Sequence, residues 1–244
     1  MELSKQNLDE IKKSNNPEII NNFLIKVSKN PKTEYLSFLQ DLIEYLNPQI
    51  LDKVKLNLIF ALGEIGSLIS IDEYYQNFLY ETYHHSDRWV RNEIIQSIEK
   101  ISSKSDLNRN IIGLVGSALN DDYNPIQYNA LRVLKNLSSF PDSVFKNLFH
   151  ALNSKNPEVI EGCKELLDKI RFNPQEFFNL LNQYENYKIL KPRAIRSLLL
   201  IQFKSIIQLE SFRDNILSSE WDKNYIEKFL KELDTYERIL IKNI

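Results

Sequence analysis

An apolar ladder at relative positions 0, +4, +8 and +11 returns along this 244-residue chain every 35 residues or so, and nothing else in the sequence restricts the fold as tightly. Clear copies are Val90, Ile94, Ile98 and Ile101, then Ile126, Ala130, Leu134 and Leu137, then Val159, Cys163, Leu167 and Ile170. Val90 and Ile126 stand 36 residues apart, and Ile126 and Val159 stand 33 apart. Upstream, the ladder runs Val54, Leu58, Leu62 and Ile65, with a weaker copy at Ile19, Phe23 and Val27. Downstream it runs Ile195, Leu199, Phe203 and Ile206, then Tyr225, Phe229, Leu233 and Tyr236. Such spacing lies along one face of an α-helix. A single hairpin cannot bury its own stripe, so units of this length stack in line and share a core with their neighbours. The expected fold is all-α: a right-handed α-solenoid of about seven helical hairpins, drawn as one domain over 1–244.

Punctuation places the helices. Six prolines follow an asparagine, at Asn16-Pro17, Asn30-Pro31, Asn47-Pro48, Asn124-Pro125, Asn156-Pro157 and Asn173-Pro174. Asparagine accepts a backbone N–H as an N-cap, and proline suits the first helical position, so each pair reads as a helix start. The second helix of each hairpin, B, is expected at 17–29, 49–66, 88–103, 125–138, 157–171, 191–206 and 222–240. The first helices, A, are expected at 33–46, 71–83, 107–119, 142–152, 174–184 and 208–218, with 3–13 as a partial opening unit. Connections of two to six residues make successive helices antiparallel. The polar outer face of the last helix suits a C-terminal cap over 222–244.

Composition narrows the class further. Only five glycines occur, and no run of alternating β-branched residues is bounded by turns, which argues against a sheet. A net charge of −2 provides no global positive field for nucleic acid or an anionic membrane, so binding to either would need a local patch. Cys163 is the sole cysteine; it cannot form an intrachain disulfide and reads as a buried thiol. The first ten residues lack the apolar centre of a secretion signal, and no run approaches the ~18 apolar residues of a membrane span. A soluble, cytoplasmic protein is the expectation.

The best copies read Asp87-Arg88-Trp89-Val90-Arg91 and Asp122-Tyr123-Asn124-Pro125-Ile126. They resemble the HEAT repeat, whose second helix opens with an aspartate in the turn, a Val-Arg pair and a small residue four positions after the valine. The resemblance is strongest over 50–171 and places the chain among armadillo-like solenoids. The tryptophan, Leu-Gly and tyrosine pattern of tetratricopeptide repeats is missing. In HEAT proteins the aspartate and arginine are structural and tie adjacent turns together, which the resemblance transfers to Asp87, Arg91 and Asp122.

In a HEAT-like stack the B helices line the concave surface, and with 0, +4, +8 and +11 buried, positions +2, +6 and +9 face outward. Those positions are Asn21, Ile25 and Ser28; Leu56, Phe60 and Gly63; Asn92, Gln96 and Glu99; Tyr128, Arg132 and Lys135; Glu161, Glu165 and Asp168; Ser197, Ile201 and Lys204. Candidate partner-binding residues are Leu56, Phe60, Gln96, Tyr128, Arg132, Lys135, Glu165 and Lys204. Leu56 and Phe60 suggest an apolar anchor if exposed, and core packing between B helices if not. Two local basic stretches stand out: Tyr128, Arg132 and Lys135, and Lys188, Lys191, Arg193, Arg196 and Lys204.

Catalytic constellations are missing from the sequence. His84 and His85 adjoin Asp87 without a metal-ligand spacing, and no phosphate-cradling glycine loop or Gly-x-Ser-x-Gly occurs. The repeated His-Glu pairs of metal-dependent HEAT hydroxylases do not occur either. The expected function is a non-enzymatic, cofactor-free scaffold binding another protein, as a helix or extended peptide, along the concave B face. Two alternatives follow from the resemblance. One is a nucleic-acid-binding or DNA-glycosylase-like HEAT protein using the basic stretches, against which the acidic Glu161, Glu165 and Asp168 count. The other is a bilin-lyase-like protein, which leaves no readable signature.

Overall fold

The computed structural model describes residues 10–242 apart from 12 and 140. Among them every regular element is helical. The helices are α1 (Pro17–Lys29), α2 (Leu36–Tyr45), α3 (Pro48–Gly66), α4 (Glu73–His84), α5 (Arg88–Ser102), α6 (Arg109–Ala118) and α7 (Asn124–Asn136), followed by α8 (Asp142–Ala151), α9 (Pro157–Asp168), α10 (Pro174–Asn182), α11 (Asn186–Ile189), α12 (Pro192–Gln202), α13 (Ile206–Leu217) and α14 (Lys223–Lys242). Apart from the four-residue α11, they alternate as A and B helices at the expected period. The opening unit expected at 3–13 lies almost wholly outside the described residues.

Asparagine caps open three of the B helices, α1, α3 and α9, and the A helix α10. Asn16, Asn47 and Asn156 accept from the backbone N–H groups of Glu18, Gln49 and Glu158 at 2.9, 2.9 and 3.0 Å. Asn173 forms a reciprocal capping box with Glu176. The Asn30-Pro31 pair behaves differently, and the expectation of a helix start is corrected there. Asn30 ends α1, its N–H bonding to the carbonyls of Lys26 and Val27, and the next helical turn begins at Thr33. Asparagine also suits a helix end, where a following proline blocks continuation.

The chain forms two compact units. The first comprises the described residues of Met1–Val115 together with Tyr123–Asn136; the second comprises Gly116–Asp122 together with the described residues of Leu137–Ile244. In the first, the B helices form a row in which α1 packs on α3, α3 on α5 and α5 on α7. Val54, Leu58, Leu62 and Ile65 are fully buried there, as are Ile94 and Ile101. The row is close at α3–α5, where Gly63 leaves so little space that a Cβ would lie 2.9 Å from Ser97 Cα. Ser97 is itself buried and donates to the Ile59 carbonyl at 3.0 Å. The ladder in α1 is shifted from its expected start: Ile19 is 45% exposed, and Ile20 takes the core position. Ile20 lies three residues before Phe23 and seven before Val27, which is the tighter helical stripe.

The second unit has a core rich in aromatic rings. Phe177, Phe203 and Phe212 are in mutual contact, with ring centroids 5.0–5.6 Å apart. Two helix boundaries there differ from expectation. Helix α10 ends at Asn182 because Tyr184 and Glu185 adopt left-handed backbone angles, with φ of 54° and 53°. The short α11 that follows is anchored by buried Asn186, whose amide donates to the Leu180 carbonyl at 2.8 Å, and by Tyr187, which stacks on Trp221 at 4.2 Å. Helix α12 stops at Gln202, not at 206. Buried Gln202 donates to the carbonyls of Leu167 and Ile170, and Phe203 is extended, its carbonyl accepting from Tyr236 Oη at 2.8 Å. Ile206 thus opens α13, where Ser205 caps it.

Candidate functional site

The B-helix row of the first unit carries six of the eight candidate binding residues. Helical geometry turns the faces of α3, α5 and α7 that are not packed toward a common groove, and polar rungs hold the helices in register across it. Asn57 donates to Asn21 at 2.8 Å, and Asn129 donates to Asn92 at 2.9 Å. Further toward the helix C-termini, Lys100 Nζ donates to Glu64 Oε1 at 2.8 Å, while Arg132 Nε meets Glu99 Oε2 at 3.1 Å and its Nη2 donates to Asn129 at 2.6 Å. Apart from the Arg132–Asn129 bond within α7, each rung joins one B helix to the next.

Leu56 is 42% exposed on this face. Phe60 is half-buried, neither fully sealed nor free, and its ring face is covered by the Lys100 ammonium 4.5 Å from the centroid. Gly63 and Ile201, expected to face outward, are buried instead. Gly63 is lost to the close α3–α5 approach. Ile201 lies on α12, whose packing covers more of its circumference than one stripe.

Beyond Phe60 the groove widens into a cavity of about 610 Å³ lined by Ser67, Gln96, Glu99, Lys100, Ser103, Arg132 and Asn136. Gln96, Glu99 and Arg132 were expected on the face; Lys100, Ser67, Ser103 and Asn136 were not. A sequence signal for them exists: Glu64, Lys100 and Asn136 each follow the previous one by 36 residues, so they occupy one register position in successive repeats. On α5, within electrostatic reach of Lys100, Glu93 is half-buried. Burial pushes its carboxyl above the ordinary 4.5, with Lys100 opposing that rise and Glu64 adding to it.

The remaining candidates are placed as follows. Tyr128 and Lys135 are half-buried on α7. Glu165 is exposed on α9 and Lys204 just beyond α12, both in the second unit, where Lys204 Nζ donates to the Leu200 carbonyl at 2.6 Å. The basic stretches acquire acids from elsewhere in the fold. Arg132 has Glu99, Lys188 pairs with Glu185, and Arg196 Nε lies 2.7 Å from Glu232, a carboxylate on α14 that is itself buried. Asp87 accepts from the N–H groups of Trp89 and Val90 at 2.9 and 3.0 Å, and Arg91 donates to the Ser86 carbonyl at 3.2 Å. Asp122 is exposed in the turn before α7. His84 and His85 are exposed, and no group of three metal-ligating side chains occurs among the described residues. No helix among the described residues is long and apolar enough to cross a membrane.

No family profile matches this chain. No curated protein matches it either. Solved structures do. An engineered protein aligns at 16% identity and a TM-score of 0.47, over 93% of this chain and 96% of its own. A designed armadillo repeat protein, YIII(Dq)4CqI, aligns at 14% identity and a TM-score of 0.41, over 96% and 94%. A second, YIII(Dq.V1)4CPAF in complex with the peptide (KR)4, aligns at 14% and 0.39, over 94% and 91%. In the first unit α1, α3, α5 and α7 pack each on the next, and in the second α9 packs on α12 and α12 on α14; these repeating helical hairpins have the fold of an armadillo- or HEAT-like α-solenoid.

Proposed function

We propose that this chain is a non-enzymatic scaffold that binds a segment of another protein along the B-helix face of its first unit. The observation that carries this reading is Leu56, a large apolar side chain left 42% exposed on the helical row of α3 that passes half-buried Phe60 and leads to Ser67 in the wall of the polar cavity. An exposed leucine contributes little to folding and can contribute strongly to binding when a partner covers it. The rungs across α1, α3, α5 and α7 support the reading further, because a groove with fixed walls spares a partner the cost of ordering them. Gln96, Tyr128, Arg132 and Lys135 supply the polar rim. Glu165 and Lys204 are a separate contribution from the second unit.

A nucleic-acid reading draws less support. Phosphate binding needs unpaired cations in number, and Arg132, Lys188 and Arg196 each have a carboxylate partner. The test is a crosslinking and pull-down experiment with the full chain and with Leu56→Asp, whose circular dichroism must match wild type. Partners retained by wild type and lost by the variant support groove binding. Partners retained equally by both overturn it.

A further inference from the structure

Two ion pairs in and beside the cavity bear on what the groove holds. Lys100 is matched by Glu64 at 2.8 Å and Arg132 by Glu99 at 3.0 Å, each pair formed between successive B helices. The remaining cavity walls, Ser67, Gln96, Ser103 and Asn136, are hydroxyls and amides. Groups of this kind offer both donors and acceptors at no net charge. Resting on the groove-binding reading above, we infer that the occupant is an uncharged, polar extended segment with one apolar anchor seated at Leu56.

Charge complementarity carries the argument. An incoming cation finds Glu64 and Glu99 already engaged, and an incoming anion finds Lys100 and Arg132 engaged. Either must compete with a partner held close by while giving up its own hydration. An amide or hydroxyl side chain displaces no ion-pair partner: Gln96 and Asn136 offer amide donors and acceptors, and the hydroxyls of Ser67 and Ser103, which donate to the Glu64 and Lys100 carbonyls at 2.7 Å, still accept. Lys100 is further fixed by its seat over the Phe60 ring. Geometry sets the length: Leu56 and Ser67 are eleven residues apart on one helix, so about 16 Å separates anchor from cavity. An extended chain covers that distance in about five residues. The occupant therefore has an apolar residue and, some five positions away, a cluster of Ser, Thr, Asn or Gln.

The test is selection of a displayed library of random peptides, roughly twelve residues long, against the full chain, with anisotropy titrations of the retained sequences. Expected are peptides of near-zero net charge that pair an apolar residue with downstream hydroxyl or amide residues. Their Kd should change less than about threefold between low and high salt, since screening has no net attraction to weaken. Leu56→Asp should reduce binding at least about tenfold, the fold-change of a lost anchor. Glu64→Gln combined with Glu99→Gln removes both internal carboxylates and should turn the selection toward Asp- and Glu-rich peptides. Retained wild-type peptides of one charge sign, weakening steeply with salt, overturn this inference while leaving groove binding intact. An unchanged selection in the double variant overturns it as well. If no retained peptide depends on Leu56, groove binding fails and the inference with it.

Discussion

The Lys100 ammonium lies 4.5 Å above the ring centroid of Phe60 and 2.8 Å from Glu64 Oε1, so one side chain of α5 meets both an aromatic face and a carboxylate of α3. That arrangement leaves Phe60 between the roles of core residue and open anchor. A cation over an aromatic ring contributes about 0.5–1 kcal/mol when partly exposed, and full burial of phenylalanine about 3–5 kcal/mol by truncation.

Phe60→Ala should accordingly destabilise the chain by about 1–3 kcal/mol, less than removal of a sealed phenylalanine. Phe60→Leu should recover most of the loss. Chemical denaturation measures both. A Phe60→Ala midpoint equal to wild type would mean that the ring contributes nothing to the α3–α5 contact.

Gly63→Ala and Gly113→Ala should move stability in opposite directions. At Gly63 the added methyl meets Ser97 Cα at 2.9 Å and Ser97 Oγ at 2.6 Å, and the backbone atom cannot move without parting α3 from α5. Overpacking of this kind costs about 1–3 kcal/mol. At Gly113, within α6, nothing lies within 4 Å of the added atom, so alanine's better helix propensity should stabilise by about 0.5–1 kcal/mol. Thermal melts of the two variants side by side check the contrast.

Glu93 gives a pH dependence with a definite sign. Its folded carboxyl is raised above the ordinary 4.5, chiefly by burial, so the folded state binds the proton more readily than the unfolded chain does. Its contribution is therefore fully present below the unfolded value and is lost as pH rises through the folded value. Glu93→Gln, neutral throughout, should melt above wild type at pH 7, and the gap should close below pH 4.5. A wild-type protein that melts higher at pH 7 would contradict the burial argument.

Tyr236→Phe should destabilise the second unit by about 1–2 kcal/mol, because the Phe203 carbonyl loses its buried donor at 2.8 Å just where α12 has ended. Ile98→Ala, in the first unit, should cost about 2–5 kcal/mol by cavity formation. Melts that resolve the two units would assign each loss to its own unit.

The repeat period, the helix types and most of the core could be read from the sequence by itself. The ladder at 0, +4, +8 and +11 is a local signal that helical geometry converts directly into a buried stripe, and Val54, Leu58, Leu62 and Ile65 bury as that geometry requires. Asn16, Asn47, Asn156 and Asn173 mark starts by chemistry confined to one helical turn. Tertiary structure decided what depends on residues a repeat or more away. The end of α12 rests on Gln202 reaching the carbonyls of Leu167 and Ile170, and the seating of α11 after the break on Trp221 stacking against Tyr187. Both partners of each ion pair in the groove were visible in the sequence, but Lys100 reads as a surface charge until α3 and α5 are brought together and Glu64 meets it. Burial of Gly63 follows from the same approach. A sequence records which residues lie along one helix; distance between helices is set by packing, and packing fixes which charges meet and how far Leu56 and Phe60 stay open to solvent.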